Sequence, residues 1–296
     1  MEHFSGLKYP IYTVILCSVN LLIGLVGIFI ISLIFISIRE LIRSSNTTIK
    51  LVQIVLVVDF ITCWTLILGS ISTFIRPLFL FDFQVFCKLG HFIAGGSTFC
   101  SIWFLAIISL ERFFLIVVDY KVPNKAWYTV VASLIILYTG MGIYCVFKDS
   151  IEPVALGVYC FVSPEHPEGL VLLYIVCIFN ILSLLTVLIS YICIAYKTLK
   201  FKNLSKIRTE GEVKEFQKAM QNACIKIVII VAFYVLTNSF ETYLELFELI
   251  TRKNRSPLAD LVAACLTNSN PLINAVLLLL INKDVGRSFQ ERFMKF

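Results

Sequence analysis

Apolar residues run along this chain in blocks of membrane length, not in the broken stripe of a surface helix. Residues 11–38 contain no Asp, Glu, Lys or Arg, and 89–110, 126–147, 170–196 and 261–282 are equally free of charge. Residues 51–75 carry a single charge, Asp59. Residues 227–250 are clean as far as Phe240, after which Glu241, Glu245 and Glu248 interrupt them. A helix needs about 20 mainly apolar residues to cross a bilayer. Blocks this long exceed a barrel strand, and lipid then leaves only helices. The pattern predicts an all-α, seven-helix transmembrane bundle forming one domain over 1–296, with spans at about 11–38, 51–75, 89–118, 126–147, 170–197, 220–250 and 258–281. In the tail, Val285, Phe289 and Phe293 recur at i, i+4, i+8 among basic residues, which predicts a short amphipathic eighth helix at about 283–295, lying on the membrane surface.

Composition agrees with that solvent. The chain is 59% hydrophobic and 15% charged, with a mean hydropathy of +0.91; a soluble domain carries about 25% charged residues. The net charge of +6 would raise the question of nucleic acid, but its distribution answers it. Loops after the odd-numbered spans, with the tail, hold seventeen Lys and Arg; the opposite side holds seven. Positive charge stays on the cytoplasmic side, so the N-terminus is expected outside, and the excess charge reports topology rather than a nucleic-acid partner. The first apolar block exceeds the 7–15 residues of a signal h-region and is expected to act as an uncleaved insertion signal. Two connections are long: 148–169, outside, and 197–220, inside, read as extensions of the fifth and sixth helices joined near Gly211. Of ten cysteines, Cys87 and Cys160 face the oxidising compartment, with Cys145 as a competitor for pairing.

Charges that break such blocks are functional candidates. In "SLERFF", Glu111 and Arg112 end a charge-free run, and apolar residues then continue to Val118. A pair of interfacial anchors would account for the charges but not for the apolar run that follows them. Asp59 is either a structural polar knot or an acid that faces a cavity. Glu241, Glu245 and Glu248 share one helix face; Glu245 and Glu248 suit a solvated helix end. Glu241 lies deep enough to line a pocket, opposite the small residues Ala94, Gly95, Gly96 and Thr98.

The order of these features resembles the rhodopsin-like (class A) family of G-protein-coupled receptors. Its third helix opens on a disulfide-bonded Cys and closes on Asp/Glu-Arg-Tyr; here Cys87 stands twenty-five residues before Arg112 in "ERF". "LVVD" places the second-helix acid at Asp59, "NPLIN" gives Asn270 and Pro271 in the seventh, "GLVG" matches the first, and Tyr191 matches the low tyrosine of the fifth. The chain departs from the pattern at Ile28, Ser183 and Ser239, and Thr237 stands where the switch tryptophan is expected. The seventh-helix asparagine is either Asn270 or Asn274. The resemblance implies a Cys87–Cys160 disulfide, a sodium or water cluster at Asp59 with Ser101, Asn270 and Asn274, and a ligand pocket near Thr98, Thr237 and Glu241. It implies Glu111, Arg112 and Tyr191 at the G-protein end, with Glu111 holding Arg112 at rest. The implied partners are an extracellular ligand, a heterotrimeric G protein and plasma-membrane lipid.

Other classes fit less well. A retinal protein needs a lysine in its last span, and 261–282 has none. A membrane metallo-hydrolase needs clustered His; His3, His91 and His166 are scattered, and no enzyme chemistry is expected. A transporter or channel is the remaining alternative. It would show internal repeats and several buried charges, where the spans offer one isolated acid.

Overall fold

The computed structural model describes residues 7–39, 47–204, 210–281 and 283–293. Long apolar blocks satisfy their backbone polar groups internally, and the chain is helical almost throughout. Helices α1 (Pro10–Ile38) and α2 (Thr47–Ile75) lead into two short helices, α3 (Phe79–Asp82) and α4 (Gln84–Gly90). From α4 the chain passes through a π-helical turn at His91–Gly95 into α5 (Gly96–Phe113) and a second such turn at Phe114–Val118. Then follow α6 (Asn124–Phe147), a hairpin of β1 (Ile151–Pro153) and β2 (Cys160–Val162), α7 (Pro167–Leu204), α8 (Glu210–Thr251), α9 (Pro257–Asn268), α10 (Asn270–Ile281) and α11 (Lys283–Phe293).

Among the described residues, six helical stretches are long and apolar enough to cross a membrane: Pro10–Ile38, Thr47–Ile75, Gln84–Val118, Asn124–Phe147, Pro167–Thr198 and Pro257–Leu279. The 42-residue α8 packs against α7, α9 and α10. The protein is therefore a multi-pass membrane protein.

Local chemistry sets the joints. Pro10 and Pro257 occupy the first turn of their helices, where a missing N–H costs nothing. Ser256 caps α9 by accepting from the Ala259 N–H at 3.3 Å. Pro271 has no N–H to give the Thr267 carbonyl, and the helix breaks at Ser269 into α9 and α10. Against α2, α1 presents Gly24 and Gly27. A Cβ at Gly27 would sit 2.5 Å from Cys63 Sγ, and one at Gly24 only 2.6 Å from Ile67. Small residues allow the close helix approach that packing in lipid relies on.

The helices depart from the expected layout in four respects. The seventh is two helices, not one. Gly211 lies inside α8 instead of at a turn, and the connection at 205–209 falls outside the described residues. The 148–169 loop contains the antiparallel hairpin, with Ile151 opposite Val162 and Pro153 opposite Cys160. The tail helix α11 packs against α1 and α10. Val285 is fully buried in the protein core, Ser288 Oγ donates to the Ser37 carbonyl at 2.7 Å, and Arg292 donates to that of Ile36 at 3.0 Å.

Candidate functional site

Three polar sites lie along the bundle, beginning where the hairpin crosses one end. Cys87, at the start of the third span, bonds to Cys160 of β2 with a Cα separation of 5.5 Å. Cys145 is free and buried, which closes the alternative pairing. His91 Nδ1 lies 3.1 Å from the Cys160 carbonyl and so fastens the hairpin a second time. Beneath the hairpin is a cavity of about 400 Å³, within the range of small-molecule sites.

One wall of that cavity is ionic. Arg255, in the turn between α8 and α9, donates from Nη1 to Glu241 at 2.6 Å. It also donates from Nε and Nη2 to the two oxygens of Glu248 at 3.0 and 2.7 Å. Asp260 Oδ1 is 3.9 Å from Arg255 Nη1 and accepts from the Tyr159 hydroxyl. The Phe161 ring lies 5.5 Å from the guanidinium carbon. Arg255, Glu241, Glu248 and Asp260 all have side chains no more than 10% exposed. Burial opposes the charge on Arg255, but Glu241 and Glu248 outweigh it and hold the guanidinium pKa above its usual value. Burial, then the neighbouring Asp260 charge, pushes the Tyr159 phenol well up.

This corrects several expectations. Glu241 does line the cavity but is already paired with Arg255. Glu248 is no solvated helix end, and Glu245 is fully buried: both its oxygens accept from Asn180 Nδ2, at 3.0 and 2.9 Å, while Asn180 accepts from Trp103 Nε1 at 2.9 Å. Ala94, Gly95 and Thr98 line the cavity. Gly96 instead makes room for Tyr138, whose ring would lie 3.0 Å from an added Cβ. Thr237 stands outside the cavity wall; its hydroxyl donates to the Phe233 carbonyl and its carbonyl accepts from Thr267. Arg255, Asp260, Tyr159 and Asn180 were not legible beforehand, since only folding brings the turn and the hairpin onto the acids of α8.

Midway along the bundle, Asp59 is fully buried and makes no ion pair among the described residues. Ser101 Oγ donates to its Oδ1 at 2.5 Å, and Asn274 Nδ2 donates to its Oδ2 at 3.3 Å and to Ser101 Oγ at 3.0 Å. Asn270 does not join them. It exchanges amide hydrogen bonds with Asn238 of α8, at 2.8 and 3.4 Å. The break at Ser269 and Pro271 lets two asparagines one turn apart serve different helices.

At the far end, Glu111 is buried and accepts from Thr48 Oγ1 of α2 at 3.0 and 3.1 Å. It makes no ion pair with Arg112, contrary to the expected resting contact. Successive helix residues point about 100° apart, so Glu111 faces α2 while Arg112 turns inward. There Arg112 lines a cavity of about 30 Å³ with Asp59, Asn274 and the buried Tyr191. Its Nε is buried without a partner, and among the described residues the side chain makes no hydrogen bond or ion pair.

Comparison with known proteins bears on the whole bundle. No curated protein matches the chain. Residues 79–277 match the family model of the 7 transmembrane receptor (rhodopsin family), which spans more than half of the sequence from α3 to α10. A match of that extent shows the family: this chain is a member of the rhodopsin family of seven-transmembrane receptors.

Proposed function

We propose that the protein is a plasma-membrane receptor with seven membrane-crossing helices, α8 included, and its N-terminus outside. A ligand enters the 400 Å³ cavity beneath the hairpin, and a heterotrimeric G protein docks at the Arg112 end. The observation that carries this reading is Arg112 itself. A guanidinium that is partly buried, its Nε fully so, and that has no partner among the described residues is costly, and it is best explained by a partner that arrives from outside the chain. The 30 Å³ cavity joins that guanidinium to Asp59, so a change of packing at the centre reaches the docking end directly. The two carboxylate oxygens of Asp59 and the hydroxyl of Ser101 are the acceptors that would hold a sodium ion there. Only neutral donors now satisfy that carboxylate, and the cavity has the volume of about one water.

The test is basal and evoked signalling in cells supplied with a panel of chimeric Gα subunits, normalised to surface receptor. The reading expects Gα-dependent signal that Arg112→Ala abolishes while surface expression holds. A flat response across the panel, with normal surface expression, overturns it.

A further inference from the structure

The ionic wall of the large cavity is unbalanced. In their ionised forms, Glu241, Glu248 and Asp260 present three negative charges to the one positive charge of Arg255. The remaining charged residue lining the cavity, Glu152 of β1, is again an acid, paired on its outer side with His166 at 3.4 Å. The four side chains of the cluster are at least nine-tenths buried, so water does little to screen the excess. Arg255 is fully committed to two glutamates, and Asp260 holds only a phenol hydroxyl and a guanidinium nitrogen 3.9 Å away. The cavity carries more acids than bases.

The opposite wall is apolar and incomplete. Leu68 of α2, Phe86 and Leu89 of α4, and Ile93 of the following turn all line the cavity. Each is also at least 40% exposed: 57%, 53%, 51% and 40% in that order. These residues belong to helices long and apolar enough to cross a membrane. The same side chains thus form the cavity wall and remain about half uncovered by protein, which leaves apolar surface beside α2 and α4 for an apolar group to cover.

Resting on the receptor reading above, we infer that the ligand of this cavity is a cationic amphiphile, a long-chain amine. Its ammonium group sits against Asp260 and the Glu241–Arg255–Glu248 cluster, and its hydrocarbon chain leaves past Ile93 and Leu89 towards the bilayer. The ammonium supplies the missing positive charge, and the tail covers apolar wall that the protein leaves open. A small hydrophilic amine would satisfy the first wall alone, and a fatty acid the second alone.

The experiment uses the full chain in lipid nanodiscs and follows its thermal unfolding midpoint with dodecylamine, 1-dodecanol, dodecanoate and butylamine, each dosed by its concentration in the bilayer or, for butylamine, in water. Dodecylamine should raise the midpoint at concentrations about tenfold below those needed by the other three, a tenfold step being about 1.4 kcal/mol. Asp260→Asn, which keeps the shape and removes a charge, should weaken dodecylamine about tenfold and leave dodecanol unchanged. Ile93→Trp, which fills the gap, should weaken dodecylamine and leave butylamine unchanged. Equal effects of amine, alcohol and carboxylate, or indifference to both variants, overturn the inference. The receptor reading fails separately: selective dodecylamine binding with no Gα-dependent signal refutes coupling alone, whereas Arg112-dependent signalling without amine selectivity refutes the ligand class alone.

Discussion

Replacing Arg255 by glutamine tests whether the ionic wall is a buried structural unit. The substitution removes both close ion pairs, at 2.6 Å to Glu241 and 2.7 Å to Glu248, and the 3.0 Å bond from Nε. It leaves two carboxylates whose side chains are 10% and 5% exposed without a counter-charge. An exposed pair contributes about 0–1 kcal/mol, whereas stranding a buried charge costs about 3–5 kcal/mol. These side chains are in the second regime. Arg255→Gln should therefore lower the thermal midpoint in nanodiscs by roughly 10 °C, taking about 2–4 °C per kcal/mol. Adding Glu241→Gln and Glu248→Gln should return most of the loss, because the two carboxylates that Arg255 paired are then neutral. The triple variant separates charge from packing: glutamine keeps most of the volume in all three positions. A single variant within about 1 kcal/mol of the parent, or a triple variant no more stable than the single, would refute the burial argument.

The other consequences are separate. Gly27→Leu should abolish surface expression or lower the midpoint steeply, since even a Cβ there meets Cys63 Sγ at 2.5 Å; overpacking costs about 1–3 kcal/mol per site, and unchanged thermal behaviour would argue against the α1–α2 contact. Asp59→Asn should remove any stabilisation of the protein by sodium over potassium chloride; a sodium effect that persists places the ion elsewhere. Cys87→Ser should leave the hairpin held to the third span by His91 alone, lower the stability by about 2–4 kcal/mol and remove ligand-dependent signalling, with peptide mapping as the check on the parent bond. Glu111→Gln should raise basal signalling and Arg112→Ala should lower it. Thr48→Val should act like Glu111→Gln, because Thr48 supplies both hydrogen bonds to that carboxylate; losses in all three that simply follow expression would reduce the group to membrane anchors.

Bilayer thickness explains why so much of the fold was legible. It demands about 20 apolar residues per crossing, and the blocks beginning at 11, 51, 89, 126 and 170 state that demand without reference to tertiary contacts. What lay beyond the sequence were features decided by neighbours. The hairpin of Ile151–Pro153 and Cys160–Val162 is three residues a side. Its strands are too short for an alternating pattern, and the disulfide and His91 hold it in place. The break at Ser269 was written in Pro271, yet its effect, sending Asn270 to Asn238 and Asn274 to Asp59, depends on which helix stands on each side.

Charge at the ends of α8 and α5 shows the same limit in sharper form. Glu245 and Glu248 follow Glu241 near a helix terminus, where acids normally meet water, and nothing local marks them as buried. Burial comes from the five-residue turn 252–256, which folds Arg255 back seven positions onto Glu248. Asn180, sixty-five positions from Glu245, donates to both of its oxygens. Glu111 and Arg112 invert the case. Adjacency in sequence suggested a pair, but helical geometry separates adjacent side chains and joins those one turn apart or on a facing helix. Thr48 is the facing residue. Arg112, freed of Glu111, is left in a cavity shared with Asp59 and Tyr191, and that is the arrangement a docking guanidinium needs: held by shape, not by a bond that docking must first break.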